Sequence, residues 1–279
     1  RTYKQRLDEA KSTVHWGQRK LFMAELELLL DFVHEAQLLV YAGAAEGQHL
    51  AFLCELFPEV QMEAWDPRPF AKSAVPPQAP ANLRVHQEYF TDEVCRHLRV
   101  TYPEVPMLFV SDIRTANWQK DTGEEHDRRL LEDLDAQQRW VDLLRPKRAL
   151  LKFRFPYTEG STESLDGEMR LPVWGPQTTT ECRLLVTPPR KGLPLATKRY
   201  DHQCMWEQLF YFNTVTRVSI YPRPSFVGPE DEETLKTAGL CRCYDCSREV
   251  DLLATLVKRK KANQVLVKDV VELVRDVSL

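Results

Sequence analysis

The chain has 279 residues, of which 43% are hydrophobic and 28% charged, with a formal net charge of −3 at pH 7. Those proportions are ordinary for a globular chain long enough to bury one large α/β core, and no apolar stretch approaches the ~20 residues that a membrane helix needs. The total charge gives no sign of nucleic-acid binding, although an average hides local basic faces.

Taken in order, residues 16–35 (WGQRKLFMAELELLLDFVHE) predict an amphipathic helix, LLVYAG (38–43) a buried strand, and GQHLAFLCELF (47–57) the helix after it. QMEAWD (61–66) is a second strand, followed by the Pro-rich PRPFAKSAVPPQAP; NLRVHQ (82–87) is a third, and PMLFVSD (106–112) a fourth. A long helix over about 124–144 carries Leu130, Leu134, Val141 and Leu144 on one face and stops at Arg145-Pro146; RALLKFRF (148–155) is a fifth strand. The sheet is expected to continue through ECRLLVT (181–187), a helix near 203–213, and RVSIY (217–221). The last forty residues look helical and contain KRKK (258–261). This alternation predicts one α/β domain with a doubly wound, mostly parallel sheet. Its core covers about 15–225 and a helical extension about 226–279. The loops 113–124 and 156–180 are longer than connectors need to be.

Seven cysteines is an odd number, and Cys54, Cys95, Cys182 and Cys204 stand alone, as reduced intracellular thiols do. The exception is CRCYDC, with Cys241, Cys243 and Cys246. It offers three zinc-type ligands and no obvious fourth, so the expectation is a thiol-rich turn and no metal.

Open α/β sheets bind ligands beyond the carboxyl ends of their strands. The first strand delivers Tyr41 and then Gly43-x-x-x-Gly47. The dinucleotide pattern G-x-G-x-x-G is absent, and Glu46 would repel a pyrophosphate at the helix start. A nucleoside cofactor without phosphates, such as S-adenosylmethionine, fits better. Asp66, about 20 residues on, stands where a ribose diol is usually gripped. Asp112 closes an otherwise apolar strand, and Lys152 interrupts the next one, where an unpaired ammonium is costly. On neighbouring strands the two read as a paired lysine with a shifted pKa.

Lys20 in GQRK, Asp112 in SDIR, Lys152 in LLKFRFPY and Glu181 in TTECRLL follow the order Lys–Asp–Lys–Glu. This resembles the catalytic tetrad of RNA ribose 2′-O-methyltransferases. With WGQRKLFMAELELLL, VYAGAAEGQHL and LLRPKRALLKFRFPY in register, the chain over about 15–213 resembles the poxvirus-type cap-specific mRNA 2′-O-methyltransferases, which also serve as stimulatory subunits of a poly(A) polymerase. The resemblance implies a Rossmann-like S-adenosylmethionine-dependent methyltransferase fold. It implies methyl transfer to the ribose of the first transcribed nucleotide of capped mRNA, with Lys20, Asp112, Lys152 and Glu181 catalytic. Gln18, Tyr41, Gly43, Gly47, Asp66, Arg68, Phe90 and Asp112 would hold S-adenosylmethionine. Tyr157, Glu159 and, if one residue is skipped, Glu207 would hold the 7-methylguanosine cap, with Tyr3 a further aromatic candidate. The family has proline where this chain has Glu46. A cytoplasmic location (host cytoplasm or virion, if viral), a poly(A) polymerase catalytic subunit as partner, and no membrane association are implied as well. A basic track for RNA is sought in Arg114, Lys120, Arg128 and Arg129, or in the KRKK run. The rival readings are a methyltransferase of another RNA, a non-catalytic cap-binding subunit, and a small-molecule methyltransferase or dehydrogenase.

Overall fold

A computed structural model of the protein describes residue 2 and residues 16–117, 120–261 and 265–277. These residues fall into two compact units, one containing 32–171 and 180–208, the other containing 16–31, 172–179 and the chain from 209 onward.

The first unit holds a seven-stranded sheet. Its strands are β1 (Leu38–Ala42), β2 (Gln61–Trp65), β3 (Leu83–His86), β4 (Met107–Ser111), β5 (Arg148–Phe153), β7 (Glu168–Arg170) and β8 (Cys182–Val186). They lie in the order β3-β2-β1-β4-β5-β8-β7. The first five are parallel, β8 runs antiparallel to β5, and β7 antiparallel to β8. The parallel part follows the 3-2-1-4-5 order of doubly wound sheets, whose chain reversal lies between β1 and β4. Helices α2 (Leu50–Leu56), α3 (Asp92–Thr101) and α4 (Gly123–Leu144) form the crossovers. β1 and β4 are buried along their whole length, which is why they read as unbroken apolar runs. Thr122 caps α4 by accepting the Glu125 N–H, and α4 ends where Arg145 turns left-handed before Pro146. A separate two-stranded ribbon pairs β6 (Ser161–Leu165) with β9 (Thr197–Asp201), and β9 runs directly into α5 (His202–Tyr211).

In the second unit lie most of α1 (Trp16–Phe32), together with α6 (Glu232–Thr237), α7 (Tyr244–Lys260) and α8 (Val267–Asp276). A buried polar network knits it. Trp174 donates its backbone N–H to Asp245 at 2.8 Å and its indole N–H to Glu249 at 3.0 Å. Arg19 pairs with the same Glu249 at 2.5 Å.

The structure corrects the strand expected over 217–221. Arg217 donates its backbone N–H to the Phe212 carbonyl and its guanidinium to Asn213, Pro172 and Asp245, which holds the chain in a turn. Val218 and Ile220 alternate as strand residues do, yet are 54% and 80% exposed. The last place in the sheet goes instead to β7, in the loop 156–180. β6, β7 and β9 escaped the apolar pattern because they are largely exposed and polar. α3 escaped it too. Its start is set by Thr91, which caps the Val94 N–H, with Asp92 and Glu93 in the first turn, rather than by a long apolar stripe.

Candidate active site

The carboxyl ends of β1, β2, β4 and β5 meet at the reversal point, and two glycines shape what lies there. Gly43, directly after β1, has φ +82°, and a Cβ on it would stand 2.8 Å from the Ile113 nitrogen and 2.9 Å from the Asp112 carbonyl carbon. Only glycine lets the chain leaving β4 pass so close. Asp112 itself donates its N–H to the Ala42 carbonyl at 2.9 Å, so the end of β4 is tied to the end of β1. Gly47 has φ +68° and is buried.

Lys152 points into a compact set of charges. Its Nζ is 3.0 Å from Asp112 and 3.7 Å from Glu181, and its side chain is only 13% exposed. Arg183 stands directly opposite Lys152 in the β5–β8 register and contacts Asp112 at 2.6 Å and Glu181 at 3.5 Å. Arg114 closes the set with a 2.6 Å bond to Glu181. Two cations facing each other across antiparallel strands repel, and the two carboxylates between them make the arrangement tenable. Burial is the main force on Lys152. Asp112 and Glu181 oppose it, Arg114 and Arg183 add to it, and the lysine is brought down from its ordinary 10.5 to about 8. Burial also works against the charge on Arg183, but Asp112 and Glu181 outweigh it and keep the guanidinium firmly protonated. From α4, Gln137 donates to the Lys152 carbonyl at 3.1 Å. Also from α4, Asp133 accepts the Thr115 N–H at 3.0 Å and its hydroxyl at 2.8 Å, fastening the chain just beyond Asp112.

Beside this cluster lies a groove of about 530 Å³, within the range of small-molecule sites. Gly43, Trp65, Asp66, Phe90, Ile113 and Asp133 are among the residues lining it. Phe90 is a buried apolar wall stacked on Phe109 with ring centroids 5.6 Å apart, and it meets Trp140 edge-on at 4.9 Å. Asp66 is buried and accepts the Ala45 N–H at 3.0 Å, bracing the glycine turn; Arg68 bonds the same carboxylate through its backbone and its guanidinium. Burial works against the charged carboxylate, but these bonds hold its pKa below the usual range. Arg68 also donates to the Ala45 carbonyl at 2.8 Å, and its side chain is 64% exposed. Tyr41 is fully buried in β1.

The segment after β5 carries the residues expected at a cap. Thr180, next to Glu181, hydrogen-bonds the Tyr157 hydroxyl at 3.1 Å, which couples that ring to the charged cluster. Arg154 lies over the Tyr157 ring, 4.7 Å from its centroid, and the Trp206 ring is 5.7 Å away. His202 fixes this stretch: it donates Nδ1–H to the Thr158 carbonyl and accepts from Thr162 at Nε2, both at 2.8 Å. Glu207 follows Trp206 on α5 and is half-buried, accepting from Gln203 at 3.2 Å. Glu159 is exposed on the turn before β6.

With this geometry in hand, comparisons with known proteins place the chain. A family model described as poly A polymerase regulatory subunit matches residues 1–226. The chain belongs to that family. It is 26% identical over 220 residues to the cap-specific mRNA (nucleoside-2′-O-)-methyltransferase of fowlpox virus (strain NVSL), covering 73% of this chain and 68% of that protein. Among solved structures, bluetongue virus VP4, described as a multifunctional RNA-capping production line, matches 75% of this chain at 14% identity with a TM-score of 0.49; the family member spans 33% of that protein.

The remaining expected residues are placed as follows. Gln18 and Lys20 are half-buried on α1, in the other compact unit, and Tyr3 lies outside the described residues. Of the residues sought for a basic track, Arg114 is bound to Glu181, Arg128 to Glu132, and Arg129 to Glu125. Lys120 is exposed. The sequence reading missed Arg183 and Asp133. Arg183 had a signal, because it sits two residues after Glu181 in an apolar strand and so shares its face. Asp133 had none, since an acid on a long polar helix is ordinary. No helix among the described residues is long and apolar enough to cross a membrane.

Proposed function

We propose that the protein is a cap-specific mRNA 2′-O-methyltransferase, carrying a methyl group from S-adenosylmethionine to the ribose 2′-hydroxyl of the first transcribed nucleotide. The observation that carries this reading is Lys152, held by Asp112 and Glu181 and titrating near pH 8.

The groove suits the cofactor. Gly43 lines it and lets the chain after β4 pass close to the end of β1, Phe90 gives an apolar face, and no phosphate is needed beside Glu46. Gly43, Asp66 and Phe90 would line its site, with Tyr41, Gly47, Arg68 and Asp112 near the strand ends. S-adenosylmethionine brings an already activated sulfonium methyl. The protein must therefore add position and partial removal of the hydroxyl proton. A fall from 10.5 to about 8 is worth ~3 kcal/mol. It leaves roughly a tenth of Lys152 neutral at pH 7, against less than about a thousandth for an ordinary lysine. The neutral Nζ accepts the 2′-hydroxyl proton, while Asp112 fixes its direction and burial, helped by Arg114 and Arg183, keeps the proton affinity low. Lys20 and Gln18 keep the roles that the resemblance implies.

At the cap, Tyr157 supplies a ring face. Arg154 already rests on that ring, so the surface accepts a delocalised cation of the kind 7-methylguanine presents. Glu207 and Glu159 are acceptors suited to the guanine N1–H and N2–H. Family membership and the fowlpox relative support capped mRNA as substrate and a poly(A) polymerase as partner.

The test is methyl transfer from labelled S-adenosylmethionine to short RNAs with an N7-methylated cap, an unmethylated cap or no cap, with Lys152→Ala alongside. Transfer to the ribose beside the N7-methylated cap, lost in the variant, is the expected result. Equal transfer to uncapped RNA would move the enzyme to another RNA class. Tight cap binding without transfer would leave a binding subunit.

A further inference from the structure

The three cysteines of CRCYDC lie far along the chain from the site above, in the unit that holds the C-terminal helices. Their sulfurs come together: the ligand atoms of Cys241, Cys243 and Cys246 all lie within 4.8 Å of one another, and the Cys241 and Cys246 sulfurs are 3.6 Å apart. A zinc ion with tetrahedral Zn–S bonds of ~2.3 Å requires sulfurs ~3.8 Å apart. The observed spread brackets that edge.

The scaffold holds this convergence in place. Arg223 donates to the carbonyls of Leu240 and Cys241, at 3.0 and 2.9 Å. Tyr221 and Arg242 exchange bonds in both directions: the Tyr221 N–H reaches the Arg242 carbonyl at 2.7 Å, and the Arg242 side chain reaches the Tyr221 carbonyl at 3.1 Å. The turn is therefore fixed through its backbone, and its thiols are left facing one another. Cys243 is the N-cap residue of α7, and Cys246 is buried in the helix's first turn. Their thiolates stand at the positive end of the helix. The Cys243 N–H also points at the Cys241 sulfur, 3.4 Å away, and an N–H donor of this kind stabilises a thiolate. Three thiolates around a divalent cation carry a net charge of −1, and the Arg242 guanidinium adjoins them in sequence.

We propose that Cys241, Cys243 and Cys246 form a zinc site, with water in the fourth position. Cys241 is exposed, so the fourth position faces solvent, and no histidine or carboxylate joins the three among the described residues. Binding displaces the thiol protons and fastens the turn after α6 to the start of α7. The alternative fate of thiols 3.6 Å apart is a Cys241–Cys246 disulfide, which the test separates from metal binding.

The full chain is isolated under reducing conditions, freed of metal with a chelator, and titrated with Co²⁺ and then Zn²⁺. The expected result is the visible d–d absorption of tetrahedral cobalt thiolate, saturating at one ion per chain and bleached by zinc. Cys243→Ser should abolish it, and serine, a good N-cap residue, preserves the start of α7. Cys204→Ser, at an exposed cysteine outside the cluster, should retain it. Zinc should raise the melting temperature of the parent chain and not of Cys243→Ser. Absence of the bands in excess cobalt, their survival in Cys243→Ser, or a Cys241–Cys246 disulfide in a parallel preparation isolated without reductant would each overturn the proposal.

Discussion

Glu181→Gln tests the electrostatics of the site through a single charge while keeping the shape of the side chain. Glu181 stands 3.7 Å from the Lys152 ammonium and holds its pKa up. At that distance one unit charge is worth about 1 kcal/mol at the permittivity of water and about 4 kcal/mol at an effective value of 20. Those figures span roughly 1–3 pKa units. Arg183 and Arg114 lose a counter-charge in the same variant, and both already push the lysine down. The Lys152 pKa should therefore fall from about 8 by at least ~1 unit. The assay is single-turnover methyl transfer across pH, so that product release does not mask the proton step. It is paired with NMR titration of ¹³Cε-labelled lysine, which reads the same group without activity. The rate inflection and the lysine titration should both sit near 8 in the parent and move down together. Arg183→Gln, which removes a cation opposite the lysine, should move both up. A rate inflection that stays put while the lysine titration moves would show that Lys152 steers the hydroxyl as a cation and is not its base. A lysine that titrates near its ordinary value in the parent would remove the electrostatic account altogether.

Lys152→Met should cost nearly all activity and no stability, because it removes a buried cation from a cluster with three cations and two carboxylates; a loss of more than ~2 kcal/mol in denaturant melts would refute this. The linkage has a definite sign. Between about 8 and the ordinary 10.5 the unfolded chain holds a proton that the native chain has released, so the parent should gain up to ~3 kcal/mol of stability as pH rises through that window, and Lys152→Met should not. Gly43→Ala meets both a φ of +82° and backbone 2.8 Å away, so it should lower stability by ~1–3 kcal/mol and weaken S-adenosylhomocysteine binding in calorimetry; unchanged values would mean that the turn relaxes freely. Tyr157→Ala should weaken binding of an N7-methylated cap analogue about 2–30-fold by fluorescence titration, the range of a cation–π contact, and weaken the unmethylated analogue less. Equal losses would make Tyr157 a simple packing surface.

How much of this was legible in the sequence depended on burial. β1, β4, β5 and β8 are covered on both faces, so their apolar runs mark them without help from tertiary structure, and the polar residues at their ends stand out as exceptions. Asp112 and Lys152 stood out that way and Glu181 through the resemblance, and the structure places the Lys152 ammonium 3.0 Å from Asp112 and 3.7 Å from Glu181. The pattern fails where the sheet meets solvent. β7 is three residues long and mostly exposed, while 217–221 alternates like a strand yet is held as a turn by Arg217, through partners on other segments that no local pattern reveals. The same limit applies inside the site. A reader of the sequence sees Lys152 as an ammonium in need of an anion, and finds Asp112. What sets its pKa, however, is burial first, with a second cation directly across the β5–β8 register adding to it, and both burial and the register between strands separated by residues 154–181 are tertiary facts. Arg183 was in view as the second residue after Glu181. Its meaning came only when β8 was laid antiparallel to β5, because that pairing turns two unremarkable basic residues into a like-charge pair: the two carboxylates keep the guanidinium protonated, while burial brings the lysine down against their pull.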